Sequence, residues 1–113
     1  MLSFIMFIVV LTEEVERQFR KLDASEYCRA MKILKQLQEH GDIVGTPLAG
    51  LWFFREKRIN GKRLYYLAYP SLTGILIVAV SEKKSQQATI DRIIADIARY
   101  GQIIHDKLKE KVP

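Results

Sequence analysis

The sequence contains little cysteine and little histidine. Cys28 is its one cysteine, so no disulfide can form within the chain, and no second cysteine stands beside His40 or His105 to build a metal cluster. We therefore expect a protein of a reducing compartment that works without a metal or any other cofactor.

The apolar stretch that opens the chain is too short for a membrane span. Residues 1–11 provide about half of the ~20 residues that a spanning helix needs, and no basic segment or small-residue cleavage site accompanies them. We expect a buried strand there and a cytoplasmic protein, and a membrane anchor is the less favoured alternative.

The composition is typical of one folded, basic domain. The 113 residues are 49% hydrophobic and 27% charged, which predicts a single compact domain over residues 1–113. Eighteen basic and thirteen acidic residues give a net charge of +5 and a pI near 9.4. This balance favours a polyanionic partner such as nucleic acid or an acidic protein, although charge alone is equally compatible with a basic surface that binds nothing.

Hydrophobic periodicity predicts the element order β-α-α-β-β-β-α. The run over residues 2–10 is typical of a buried strand, and Thr12 and Asp23-Ala24-Ser25-Glu26 are helix N-cap signals that predict a helical hairpin. Three strands follow. Apolar residues at helical spacing over 90–108 then predict one long C-terminal helix that Gly101 weakens or bends. The fold class is α+β, with helices on a mainly antiparallel sheet of four strands.

Asn60-Gly61 is a strong turn signal between strands at about 51–59 and 62–69. A two-residue turn would put Arg55 and Arg63 on opposite faces of the sheet, whereas a three-residue loop with a glycine bulge shifts the register by one residue. We favour the bulged form because it sends Trp52, Phe54, Leu64 and Tyr66 together toward the helices. The other face would then carry Phe53, Arg55, Lys57, Arg63, Tyr65 and Leu67.

Basic residues are concentrated at this hairpin. Residues 55–63 contain five of the eighteen basic residues, and Lys83 and Lys84 end the next strand. Cations on a sheet contact RNA phosphates, and aromatic rings stack on unpaired bases. The candidate rings are Trp52, Phe53, Tyr65, Tyr66 and Tyr69. In the alternative interpretation the rings belong to the core and the charges form a solvated rim, and for Trp52 and Phe54 we favour that alternative.

An ordered series of short segments spans residues 41–100: Gly45-Thr46-Pro47-Leu48, Gly50-Leu51-Trp52, Arg55, Arg63-Leu64-Tyr65-Tyr66, Lys83-Lys84-Ser85-Gln86, and a closing helix with Ala95 and Arg99. In this order the segments resemble the RelE superfamily of toxin–antitoxin toxins, most closely its HigB-like branch. The resemblance implies a RelE-like fold. It also implies a toxin that cuts mRNA in or near the ribosomal A site, and a cognate antitoxin that covers the same face.

The resemblance implies roles for single residues as well. Arg55, Arg63 and Lys84 stand where similar toxins bind and activate the scissile phosphate, so they are the catalytic candidates. The RNA-binding candidates are Lys57, Arg58, Lys62, Lys83 and Tyr65. The hypothesis requires the three catalytic candidates to gather in one electropositive pocket. Since exposed charges contribute little to stability, we expect alanine at positions 55 and 63 to leave the fold intact.

Cleavage of this kind uses the RNA 2′-hydroxyl as an internal nucleophile. Cations stabilise the phosphorane, but arginine and lysine transfer protons poorly because their pKa values lie above ~10. Many relatives carry a tyrosine, a histidine or an acidic residue shortly after the last strand, and residues 86–90 offer none. Asp91 and Tyr65 are the candidate substitutes. We expect ordinary surface or packing roles for His40 and His105, and a buried or inert thiol at Cys28.

Two further functions stay open at this point. A toxin like ParE, which poisons DNA gyrase, would block its target by occupancy without cutting RNA, and the missing proton-transfer group favours that alternative. An RNA-binding protein without toxicity would need only the basic and aromatic hairpin. The sequence predicts neither an oligomeric state nor a codon preference.

Overall fold

The computed structural model describes residues 6–110, apart from the side chain of Asp42. The described chain contains five strands and four α-helices: β1 Ile8–Leu11, α1 Glu13–Arg20, α2 Ala24–His40, β2 Thr46–Leu48, β3 Leu51–Ile59, β4 Lys62–Tyr69, β5 Gly74–Glu82, α3 Gln86–Ala95 and α4 Ile97–Glu110. The first strand thus begins later than predicted, and residues 2–5 of that prediction lie outside the described range. No helix in this range is both long and apolar enough to cross a membrane.

Both predicted N-caps are present. The Thr12 hydroxyl accepts a hydrogen bond from the backbone N–H of Val15 at 3.2 Å and so begins α1. At the start of α2, Asp23 accepts from the Glu26 N–H at 2.7 Å, and the Glu26 carboxylate accepts from the Asp23 N–H at 3.0 Å. This reciprocal capping box confirms the helical hairpin.

The sheet has five strands in the order β1-β5-β4-β3-β2. Its one parallel pair is β1 with β5, and the other neighbouring strands run antiparallel. The prediction of four strands is wrong because Thr46–Leu48, interpreted as loop, pairs with β3 as an edge strand. Pro47 is compatible with that position, since one side of an edge strand needs no backbone donor.

Each face of the sheet is covered by one helix pair and has its own core. The α1/α2 face is the side where Val15, Phe19, Ile33, Leu37, Ile59, Leu64, Tyr66, Ile75 and Ile77 pack together. The α3/α4 face is the side where Phe54, Tyr65, Leu67, Leu76, Val78, Ile90, Ile93, Tyr100 and Ile104 pack together. Because both faces are buried, strand residues of both parities are apolar over much of the sheet.

The C-terminal segment is two helices and not one long helix. The break falls at Asp96, whose backbone N–H bonds to the carbonyls of Ile93 and Ile94. Gly101, where weakness was predicted, lies inside α4. On either side of the break the two helices both contact β5, and α4 approaches it closely at Gly74. A Cβ at Gly74 would lie only 3.0 Å from methyl carbons of Ile104 and Leu108.

One side chain takes the place of a strand partner. Beyond Ile77, β5 continues past the end of β1, which pairs with it only as far as Leu11. There Gln18 of α1 donates from its amide to the Val80 carbonyl at 3.2 Å and accepts from the Val80 N–H at 3.0 Å. The amide thereby satisfies both backbone groups of that edge residue.

Candidate nucleic-acid interface

The register of the β3–β4 hairpin decides which charged residues share a face. Pairs run from Ile59↔Lys62 to Phe54↔Leu67, so Asn60 and Gly61 form a strict two-residue turn. Our preference for a bulged loop is wrong. The positive φ of 51° falls on Asn60, whereas a glycine bulge would need it on the glycine. The hydrophobic argument failed because both faces are covered by helices.

This register separates the predicted catalytic residues. Arg55 pairs with Tyr66 on the α1/α2 face, and Arg63 pairs with Arg58 on the α3/α4 face. Lys84 follows β5 in a 3-10 turn and is 85% exposed, 3.6 Å from the Glu82 carboxylate. The predicted gathering of Arg55, Arg63 and Lys84 in one pocket is therefore wrong.

Arg55 is committed to backbone carbonyls. Its Nε donates to the Val44 carbonyl at 2.9 Å, and its two terminal nitrogens donate to Trp52 at 2.9 Å and to Gly45 at 3.0 Å. The Tyr66 hydroxyl donates to the same Val44 carbonyl from the paired position. This arrangement fastens the segment that contains β2 onto β3.

Arg63 lies at the centre of a charged cluster on the other face. It is 9% exposed, and its Nη1 donates to Glu56 Oε1 at 3.2 Å. Glu56 Oε2 accepts a further bond from the Gln86 amide at 2.9 Å. The Nε of Arg63 is buried and finds no hydrogen-bond partner among the described residues. A guanidinium with an unmet donor keeps hydrogen-bonding capacity for an anion.

Two adjacent cavities meet at Arg58 and Arg63. One has a volume of about 650 Å³ and opens beside Gly45 and Thr46, where β2 stops and the edge of β3 is uncovered. The other, of about 180 Å³, lies at the hairpin turn. We call the two together the basic cleft. Its cations are Arg29, Lys57, Arg58, Lys62, Arg63 and Lys83.

Most cations of the basic cleft are free to bind a ligand. Lys62 pairs with Glu26 at 3.2 Å and Arg63 with Glu56, but the other four form no ion pair within the described part of the chain. Glu56 is the one acidic residue that lines the cleft. Such an excess of cations in a concave surface attracts phosphate groups. Four of the predicted RNA-binding residues, Lys57, Arg58, Lys62 and Lys83, lie here.

The aromatic candidates are mostly unavailable to a base. Tyr65 and Tyr66 are fully buried, and burial raises the pKa of Tyr65, whose hydroxyl lies 2.8 Å from Ser81 Oγ. Phe54 is buried as expected, but Trp52 is 55% exposed, so the interpretation of Trp52 as core is wrong. Trp52 lies six positions before Arg58 in β3, a span of about 20 Å, and it lines neither cavity of the basic cleft.

Glu56 is the functional candidate that sequence reasoning missed. The two-residue register places it on the face of Arg58 and Arg63, where its carboxylate lines the larger cavity of the basic cleft. Asp91, a predicted substitute, is exposed and accepts a bond from Gln87 instead. Neither His40 nor His105 lines the cleft. Among the described residues no group of three or more histidine, cysteine or acidic side chains is arranged to hold a metal ion.

No protein-family model and no curated protein matches the sequence. Solved structures do match. A mutant of the E. coli toxin RelE in the free state has a TM-score of 0.64 at 20% identity, over 78% of this chain and 98% of that one. The same toxin as a mutant in complex with an antitoxin RelBc peptide has a TM-score of 0.62 at 18% identity, over 77% and 94%.

An archaeal structure agrees with these two. The RelE–RelB complex from Pyrococcus horikoshii OT3 has a TM-score of 0.61 at 15% identity, over 69% of this chain and 96% of that one. Placement in the HigB-like branch stays a prediction, since likeness at such low identity shows the fold alone. Topology and superposition together show that this chain has the α+β fold of RelE toxins.

Proposed function

We propose that this chain is the toxin of a type II toxin–antitoxin pair, and that it binds RNA phosphates in the basic cleft and cleaves mRNA on the ribosome without a metal ion. The observation that carries the proposal is the cleft itself. Arg58 and Arg63, on paired positions of β3 and β4, are shared by two cavities that four further cations line. The fold of RelE toxins adds support.

The roles within the cleft follow from geometry. Arg63 is the residue for the scissile phosphate, because it is held in place and its planar fork suits phosphate oxygens. Arg58, Lys57 and Lys83 are free cations for the neighbouring phosphates and for the charge of the phosphorane. Lys84 is the exposed continuation of this group. We assign Arg55 to holding the β2 segment and not to the phosphate.

Glu56 supplies the proton-transfer group that residues 86–90 lack. In the proposed reaction its carboxylate takes the proton of the 2′-hydroxyl, the 2′-oxygen bonds to phosphorus, and the bond to the 5′-oxygen breaks. The leaving oxygen takes a proton in turn. The ammonium groups of Lys57 and Lys83 are the candidate donors, because an alkoxide is a much stronger base than an amine even though a protonated lysine cannot act as the base. The products are a 2′,3′-cyclic phosphate and a 5′-hydroxyl end.

The partner is proposed from chemistry and from the fold. Two of the similar structures are toxins bound to RelB-type antitoxin chains. We propose a cognate antitoxin with an acidic segment that neutralises the basic cleft and thereby excludes RNA from it. Coexpression with that antitoxin is expected to suppress the effects described next.

The test is induction in a bacterial host with mapping of message ends. Cuts phased to the A site support the nuclease, growth arrest with intact messages indicates a toxin that acts by occupancy, and neither effect indicates a plain RNA-binding protein. Arg58→Ala is the sharpest variant, because Arg58 is exposed and forms no ion pair with any residue that the structure describes, so its loss should leave the fold intact. Lys107→Ala removes an equal charge from α4 and is the matched control.

Binding and chemistry can be separated with purified protein. Arg58→Ala should weaken RNA binding and lower the slope of log K against log salt by about 0.7, the value for one phosphate contact on a single strand. Glu56→Gln should bind RNA nearly as well but cleave at least ~100-fold more slowly, the usual contribution of a general base. Unchanged cleavage by Glu56→Gln would remove Glu56 from the mechanism.

A further inference from the structure

Gln86, the first residue of α3, is joined to Arg63 through a single carboxylate. Its amide donates to Glu56 Oε2 at 2.9 Å, and the other oxygen of Glu56 accepts from Arg63 Nη1 at 3.2 Å. The chain of bonds runs from a helix to β3 and then to β4. Little solvent reaches its charged part, since the side chains of Glu56 and Arg63 are 13% and 11% exposed.

One bond from Nη1 does not fix the plane of a guanidinium. Rotation about the Arg63 side chain is limited only if the acceptor is itself fixed, and a carboxylate held through one oxygen still rotates about its last bond. Gln86 holds the second oxygen of Glu56 and so fixes the carboxylate plane. The orientation of Arg63 therefore depends on a residue that it does not touch.

We propose that Gln86 is a positioning residue for Arg63: it holds the Glu56 carboxylate, and through it the guanidinium fork that meets the scissile phosphate. This inference rests on the proposed function for its effect on cleavage, but the bracing itself is measurable without RNA. The amide is neutral, so its loss changes geometry and leaves the net charge of the cleft unaltered. Gln86 lines neither cavity of the basic cleft.

The helix offers a matched control one residue later. The Gln87 amide donates to Asp91 Oδ1 at 3.0 Å, an exposed contact within the same helix. Gln87→Ala therefore removes the same side chain from the same turn without affecting Glu56. Gln86→Ala is the test variant. Gln86→Glu is a second one that keeps the side-chain size, suits a helix N-terminus, and replaces a donor to Glu56 by a charge that repels it.

In single-turnover cleavage of message on the ribosome, Gln86→Ala and Gln86→Glu should both lower the rate about tenfold. For the neutral Gln86→Ala variant the half-saturating RNA concentration should change less than about threefold, whereas the added charge of Gln86→Glu should also weaken RNA binding. Gln87→Ala should match the wild type. Adding Gln86→Ala to a Glu56→Ala chain should cause no further loss, because the effect passes through Glu56. The proposal would be overturned if Gln86→Ala lowered the cleavage rate as much in the Glu56→Ala background as in the wild type. It would also be overturned if neither Gln86 variant lowered the rate.

A second measurement distinguishes this inference from the nuclease proposal. The NMR order parameter of the Arg63 Nε–H bond should fall from about 0.85 to below about 0.6 in both Gln86 variants and stay high in Gln87→Ala. If the order parameter stays high in the Gln86 variants, Gln86 does not hold Arg63 in place through Glu56, whatever the cleavage rates. If the order parameter falls in the Gln86 variants but the wild type cuts no RNA, the positioning role of Gln86 is supported and the proposed nuclease function is wrong.

Discussion

Replacement of Arg55 by alanine should destabilise the protein, contrary to the expectation from sequence. The variant loses three hydrogen bonds from a charged donor to the carbonyls of Val44, Gly45 and Trp52. The Trp52 bond is exposed, so water replaces it at little cost, and the Val44 carbonyl keeps the Tyr66 hydroxyl. The partly buried Gly45 carbonyl has no such replacement among the bonds of the described residues.

The expected loss is about 2–4 kcal/mol, since a hydrogen bond to a charged group contributes about 1.5–3 kcal/mol, the exposed Trp52 bond is discounted, and the Val44 bond counts only in part because its carbonyl keeps the Tyr66 hydroxyl. Domains of this size have total stabilities of about 5–15 kcal/mol, so the effect is large. Urea unfolding followed by circular dichroism would show the midpoint fall by about 1.3–2.7 M at a slope of about 1.5 kcal/mol per M.

Arg58→Ala is the control, because Arg58 is exposed on the same strand and its removal should change stability by less than about 0.5 kcal/mol. A midpoint for Arg55→Ala within that margin would refute the anchoring role. If such a stable variant also lost cleavage, Arg55 would act on the phosphate directly, as the family resemblance implies.

Three further outcomes are expected. Gly41→Ala should lower the free energy of unfolding by more than about 2 kcal/mol, because φ is +57° at this position and the new Cβ would overlap the Phe7 ring. A thermal unfolding midpoint equal to that of the wild type would contradict this packing. Tyr100→Phe should leave stability unchanged or raise it by about 1 kcal/mol, since the buried hydroxyl has no partner among the described residues, and a clear loss would reveal one. Burial raises the pKa of Tyr69 to about 12, so the unfolded chain loses the phenolic proton at a lower pH than the folded chain, and stability should fall as pH rises from about 10 to 12. Urea midpoints measured over that range should fall less steeply for Tyr69→Phe than for the wild type. An equally steep fall in the variant would mean that a different group causes the loss of stability.

The parts of the fold that were predictable depend on local chemistry. The capping box at Asp23 and the Asn60-Gly61 turn act over a few residues, and the structure has both where the sequence predicts them. The β2 strand was not predictable, because three residues that include Pro47 acquire strand structure only by pairing with β3. The break at Asp96 likewise depends on how two helices fit one curved sheet.

The candidate site was only partly predictable for a related reason. The alternation of polar and apolar residues determines strand register when one face of a sheet is exposed to solvent. Here helices cover both faces, so apolar residues are buried on whichever face they lie and do not distinguish the two registers. A shift of one residue moved Arg55 away from Arg63 and brought Glu56 to it. The positions of the free cations were less sensitive to this shift. Arg58 and Lys83 line the cleft as exposed charges near the turn, and the half-buried Lys57 lines it as well.

The amide of Gln18 also determines where the sheet ends. Without this amide, the backbone N–H and carbonyl of Val80 would be unpaired at the edge of β5, and an extended chain could hydrogen-bond to them as a sixth strand. The side-chain amide of Gln18 resembles a peptide group, so it occupies both backbone groups of Val80 and blocks the addition of a strand there. A population of molecules that lacked it would have a route to assemble edge to edge, and solubility at high concentration would decline before any loss of folding.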